Sequence, residues 1–317
     1  MKTSNAIVTV GLCPTWDIIC RADNLRWNMH RILQSQTIRP AGKALNISRA
    51  LAWMNIPSVA AGLWGEKDYA EMKEALAGQR KWIALKCTAV PGKTRQNITL
   101  IDTGNQREIH LRARSELATP AALKKLRGDL DCLVQPGDFC AFAGSLPPPV
   151  LMRHILPLIQ SCRNARVRII LDSSGPTLRA VLQQGGIFLI KPNVEELSEL
   201  VGEKIPNRVG PLLRAGKTLL PLADMILISR GSQGVLLLSR DFAFQARCTH
   251  PPRTVISTVG CGDYLLAGFL KGLAEHRMIP DALPPALQAA AAHAAGLTES
   301  RSWRQMQKRF PVNVREL

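Results

Sequence analysis

The chain of 317 residues is short of acid, with 24 Asp and Glu against 41 Lys and Arg, and it lacks several features that would settle its class at once. It has no run of 18 or more uncharged apolar residues, so it offers no candidate membrane helix. Its N-terminus, "MKTSNAIVTVGLCPTWD", carries one lysine and a short strand-like run without a signal peptide or cleavage site, and a cytoplasmic protein is the simplest reading. The eight cysteines, at 13, 20, 87, 132, 140, 162, 248 and 261, include no CxxC pair. In a chain large enough to bury a core, that argues against a disulfide framework and against a structural metal, and reduced thiols are expected. There is no internal repeat. There is also no Walker loop: the "PGKT" at 91–94 would need a glycine where Cys87 stands. The net charge of +17 forms no long basic tail and is spread through segments such as "RNARVR" and "RSWRQMQKR". Without a zinc finger or an RNA-binding aromatic signature, nucleic acid is not favoured as a partner. Charge alone selects no substrate.

What is present is an alternation of short apolar runs with amphipathic segments. Strands are expected at 6–10, 58–62, 138–144, 167–172, 187–191, 225–229 and 234–239. Helices are expected near 42–54, 67–79, 120–130, 148–162, 194–201, 263–275 and 283–296. This rhythm predicts an α/β fold with a largely parallel sheet covered by helices on both faces, its ligands at the carboxyl ends of the strands. Residues 12–40 and 88–114 depart from it. Their polar, weakly alternating stretches, "TRQNITLID" among them, are expected to pair as a small β lid over the site, within one domain spanning 1–317.

Several short motifs suit phosphate chemistry. In "STVGCGDYLLAGFL", Gly260, Cys261 and Gly262 can turn backbone amides toward an anion at a helix N-terminus. Asp263 then either accepts a proton from an attacking hydroxyl or merely caps the helix. A second helix mouth, "AGKALNIS", sets Gly42 and Lys43 beside Asn46, with Lys43 able to meet a phosphate and Asn46 a sugar hydroxyl. Asp17 follows the first strand, and Arg95 lies on the expected lid. In "KPNVEE", Asn193 and Glu196 can serve magnesium or its phosphates, or cap a helix. In "ISRGSQG", Ser229, Gly231 and Gly234 can approach ATP or simply form a hairpin turn. Ser145, in "GSLPP", reads first as a turn residue.

In their order along nearly the whole chain, "CPTWD", "AGKALNISRALAWMNI", "GKTRQNITLID", "GSLPP", "LDSSGPTL", "LIKPNVEEL", "ISRGSQGVLLLS" and "VISTVGCGDYLLAGFLKGL" resemble the PfkB carbohydrate kinases, especially the 1-phosphofructokinase and tagatose-6-phosphate kinase branch. The resemblance implies a ribokinase-like three-layer α/β/α core with a small β lid, and MgATP-dependent phosphorylation of a sugar or sugar phosphate. It implies Asp263 as catalytic base and Gly260, Cys261 and Gly262 as anion hole. Substrate contacts are implied for Asp17, Gly42, Lys43, Asn46, Arg95 and Ser145, with Lys43 and Arg95 on the existing phosphate. Lys191, Asn193, Glu196, Ser229, Gly231 and Gly234 are implied for ATP and Mg2+. The acceptor it points to is fructose 1-phosphate, with tagatose 6-phosphate or another sugar as the alternative. A homodimer through the lid edge is left open. The chain departs from the family at Cys13, Ala41, Ala44, Lys93 and Cys261, and at Tyr264, where Ser or Thr is common. Those departures raise a reading of another class, a catalytically impaired sugar-phosphate sensor.

Overall fold

Among the described residues, 5–275 and 278–317 of this computed structural model, the apolar runs assemble into an eleven-stranded sheet. Ile83–Leu85, Ser58–Gly65, Ile7–Gly11, Phe139–Ala143, Arg168–Asp172, Ile187–Ile190 and Ala223–Ser229 lie side by side and parallel. Thr88–Val90 pairs in parallel with the far end of Ser58–Gly65, and Val235–Leu238, Ala243–Cys248 and Val312–Glu316 extend the other edge in antiparallel fashion.

Period-two alternation divides the strand side chains between two cores. Val8, Val10, Cys140, Phe142, Ile169 and Leu171 face the helices Pro120–Leu133, Met152–Asn164, Pro176–Leu182, Val194–Val201 and Val209–Lys217. Ile7, Phe139, Ala141, Ile170 and Leu189 face Lys43–Trp53, Cys261–Ala274, Leu283–Ala294 and Trp303–Arg309. The result is the expected three-layer α/β/α arrangement. From Ile7–Gly11 the chain goes to a neighbour on one side and later to a neighbour on the other, which opens a crevice at the strands' carboxyl ends.

Of the intervals 12–40 and 88–114, Thr88–Val90 thus pairs with Ser58–Gly65 of the main sheet, and the other strands form a separate four-stranded sheet in the order Ser35–Ala41, Thr15–Ala22, Gln96–Asp102, Arg107–Arg112. Its register places Ile38, Ile18, Ile98 and Leu111 in one row, and Arg39, Asp17, Asn97 and Arg112 in the next. Adjacent rows point to opposite faces, so the sheet has an apolar side and a polar side.

Some boundaries move for local reasons. The expected 67–79 helix is shortened to Tyr69–Ala75 with a tight turn at each end. The helix expected at 148 begins at Met152, after the 3-10 turn Pro149–Leu151. The helix expected at 263 begins at Cys261. No described helix is long and apolar enough to cross a membrane, and the eight cysteines are free thiols.

Candidate active site

The Cys261–Ala274 helix is pressed against Leu283–Ala294 at backbone distance. A Cβ on Gly268 would lie 2.3 Å from the Pro285 carbonyl oxygen. This fixes the first turn, where Asp263 sits 4% exposed. The alternative in which Asp263 only caps the helix does not hold. The cap is Gly260, left-handed at φ 84, and no side chain bonds to the cap. The Asp263 carboxylate instead accepts a bond from Asn46 Nδ2 at 2.9 Å. Asn46 comes from the Lys43–Trp53 helix, which packs alongside and begins after Gly42 at φ 115.

A buried charge cluster adjoins this pair. Asp172, at the carboxyl end of its strand, has a fully buried side chain. Its Oδ1 accepts from Lys43 Nζ and lies at the same distance, 3.2 Å, from Lys191 Nζ. Its Oδ2 is buried with no hydrogen-bond partner among the described residues. Lys43 Nζ is also 4.0 Å from Glu196 Oε1. Burial pushes the Asp263 carboxyl up, and the neighbouring Asp172 charge adds to it; the Asn46 bond and the charges of Lys43 and Lys191 pull the other way, and the balance lies at about 7. For Lys43, burial opposes the charge, but Asp172, Glu196 and Asp263 outweigh it, so its pKa is raised.

These contacts sort the expected residues. Lys43, Asn46, Lys191, Glu196 and Asp263 come together. Lys43, expected on the substrate's existing phosphate, lies beside Asp263, with Asp172 and Glu196 drawing its ammonium inward. Asp172 was not singled out by the sequence reading; the available signal was an acidic residue ending the apolar run "RIILD" in a parallel sheet.

Asn193 and Glu196 cap their helix reciprocally. The Glu196 amide donates to Asn193 Oδ1 at 2.7 Å and the Asn193 amide donates to Glu196 Oε2 at 2.9 Å. That leaves Glu196 Oε1 directed at Lys43. Gly234 is required by its hairpin, where a Cβ would lie 2.1 Å from the Ala246 carbonyl oxygen. Asn193, Ser229, Gly231, Gly234, Cys261 and Gly262 nevertheless line one cavity of about 840 Å³. The Cys261 amide donates to Thr258 O at 3.3 Å and the Asp263 amide to Gly260 O at 2.9 Å. The amides of Gly260 and Gly262 carry no bond among the described residues. Lys191 Nζ sits over Gly262, 3.2 Å from where a Cβ would be. Two ammonium groups, two amides, the bare Asp172 oxygen and Glu196 Oε1 make a donor set that fits a polyphosphate with a divalent cation.

On the small sheet, Asp17 stands opposite Arg39 and Asn97. Burial raises its pKa against Arg39, an Asn97 bond, Arg95 and Arg49. Arg39 has a buried, unpartnered Nε, and its nearest carboxylate is the exposed Glu299 at 3.9 Å. Arg49, half-buried one turn beyond Asn46, has no ion pair among the described residues. Neither arginine was expected to matter. Arg95, expected on a phosphate, is anchored to the chain: its guanidinium donates to the carbonyls of Cys13 (3.0 Å), Pro14 (3.3 Å) and Ala113 (2.8 Å). Ser145 is exposed at the mouth, next to Gly144, which abuts Lys43.

The model of the pfkB family of carbohydrate kinases matches residues 4–302. Among solved structures, phosphofructokinase-2 from Escherichia coli in complex with fructose-6-phosphate aligns with a TM-score of 0.86 at 24% identity, over 96% of this chain and 97% of that one. The tetrameric inhibited form of the same enzyme aligns at 0.85 and 23% identity, over 95% and 99%. A possible 1-phosphofructokinase from Thermotoga maritima aligns at 0.80 and 20% identity, over 98% and 99%. At these identities the structural likeness establishes the fold, which is ribokinase-like.

Proposed function

Since the chain belongs to the pfkB family of carbohydrate kinases, and is by that membership an ATP-dependent sugar kinase, we propose that it phosphorylates a ketohexose monophosphate. The favoured conversion is fructose 1-phosphate to fructose 1,6-bisphosphate, with tagatose 6-phosphate the neighbouring acceptor. The observation that carries the reading is Asp263: buried, outside the helix cap, oriented by Asn46 and raised to about 7. A general base works best with a pKa near the working pH.

In this reading the acceptor hydroxyl gives its proton to the Asp263 carboxylate while its oxygen bonds to the transferred phosphorus and the bond to the ADP oxygen breaks. Bound MgATP supplies the phosphoryl group and part of the charge neutralisation. The amides of Gly260 and Gly262, with Lys43 and Lys191, offset the negative charge that develops, and Asp172 holds both ammonium groups in place. The small sheet serves as a lid over the acceptor and excludes water. Support for a phosphorylated acceptor comes from Arg39 and Arg49, two guanidinium groups near Asp17 whose local charge is only partly balanced. The apolar side of the lid exposes Ile38, Ile109 and Leu111 at 50%, 47% and 46%, which suits a second copy of the chain.

The test is a phosphotransfer assay with MgATP over a panel of ketoses and ketohexose monophosphates. Turnover is expected with fructose 1-phosphate or tagatose 6-phosphate above that with unphosphorylated fructose. Absence of transfer to both would reject these acceptors, and tight sugar-phosphate binding without transfer to any acceptor would favour a sensor.

A further inference from the structure

The loop that delivers the free amides to the site is poorly anchored by its own side chains: Val255, Ile256 and Val259 are 54%, 67% and 58% exposed. A segment that buries so little apolar surface opens at low cost unless something else holds it. Here the holding comes from the end of the Leu283–Ala294 helix. The Ile256 amide donates to Ala294 O at 2.7 Å and the Ser257 amide reaches the same oxygen at 3.5 Å. Nearer the site, His293 Nε2 lies 2.9 Å from Val259 O. A carbonyl oxygen can only accept, so Nε2 carries the proton.

The imidazole is itself fixed. It lies flat on the Tyr264 ring, with centroids 4.0 Å apart and planes at 11°. Tyr264 meets the edge of Trp53 at 6.0 Å, and Trp53 meets Trp303 at 5.4 Å. The stack thus reaches from the residue after Asp263 to the helix Trp303–Arg309. Gly260 closes the arrangement from the other side, since a Cβ there would sit 2.9 Å from His293 Nε2. The other ring nitrogen, Nδ1, is buried without a partner among the described residues, a cost set against the single bond to Val259. Burial, with Arg39 nearby, lowers the pKa of His293 despite the Val259 bond and Glu299.

We propose that His293 is a positioning residue for the anion hole: stacked on Tyr264, it holds the Val259 carbonyl and so sets the amides of Gly260 and Gly262 beside Asp263. The claim rests on reading those amides as the anion hole. It also gives Tyr264 a purpose, because a Ser or Thr at that position has no ring on which the imidazole can lie.

Two variants separate the donor from the stack. His293→Phe keeps a flat ring on Tyr264 without the donor, and His293→Gln keeps a donor without the ring. His293→Phe is expected to lower kcat for phosphotransfer about 10- to 100-fold while KM for the acceptor moves less than about 3-fold, the pattern of misplaced transition-state donors. His293→Gln should restore kcat to within about 5-fold of the parent and return amide hydrogen exchange at 256–262, faster in His293→Phe, toward the parent rate. Parent-like kcat and exchange in His293→Phe would overturn the proposal, as would equal loss of kcat and KM in both variants. If the parent chain transfers phosphate to no acceptor, the proposed function fails by itself. Exchange then decides the positioning claim: faster in Phe and parent-like in Gln supports it, and no difference between the two overturns it.

Discussion

At the scale of single residues, the account turns on where Asp263 holds its proton. As the free enzyme must present a carboxylate, kcat/KM for the acceptor is expected to rise with pH through about 7 and then level, which a pH–rate profile reads directly. A profile flat from pH 5 to 8 would exclude a base of this pKa. The same shift has a consequence for stability. A carboxyl whose pKa is higher folded than unfolded binds its proton more tightly in the folded chain. Its contribution is therefore favourable at low pH and is lost as pH rises from the ordinary value near 4 toward 7. Asp263→Asn removes that loss while leaving an oxygen for Asn46. Thermal unfolding at pH 8 should show the variant at least as stable as the parent, with any advantage shrinking at pH 5. The sequence could mark Asp263 as a base or a cap and could not choose. The contact that argues for the base is Asn46, 217 positions away, donating to its carboxylate.

At the scale of elements, the motifs legible in the sequence proved to combine local structural and site roles. "KPNVEE" is a reciprocal helix cap whose second glutamate still turns one oxygen to Lys43. Asn193→Ala should cost about 1 kcal/mol and lower Tm by a few degrees, and Asn193→Ser should recover most of it because serine also caps. If Asn193→Ser recovers Tm but not turnover, the side chain also serves the nucleotide. If both recover, capping is its whole contribution. The strands read from apolar runs were those buried on two faces, such as Phe139–Ala143, and the helices were those with an apolar stripe, such as Pro120–Leu133. Ala243–Cys248 and the edge strand Val312–Glu316 escaped because they are only half-buried, and Val209–Lys217 escaped because Gly210 and Pro211 interrupt its first turn. The anchoring of Arg95 escaped for a different reason. Its three carbonyl partners are set by how the lid strands meet the loop at Cys13 and Pro14, which no local pattern encodes.

At the scale of the molecule, the rhythm of apolar runs was enough to predict the layered α/β core, and polar alternation marked the strands of the second sheet while missing that Thr88–Val90 joins the first. It did not reveal that the second sheet would divide into an apolar and a charged face, because that depends on the register of four strands. The apolar face carries a prediction of its own. Sedimentation or light scattering should find a dimer that Ile38→Glu with Leu111→Glu dissociates, and a parent that is monomeric at micromolar concentration would remove that use of the face. The central claim, however, is phosphotransfer through Asp263, and single-turnover transfer from MgATP to fructose 1-phosphate and tagatose 6-phosphate tests it most directly. The account predicts that the parent transfers phosphate to one of them and that Asp263→Asn, folded and still binding both substrates, is slower by about 10²- to 10⁴-fold. Transfer by Asp263→Asn at a rate near the parent's would contradict it.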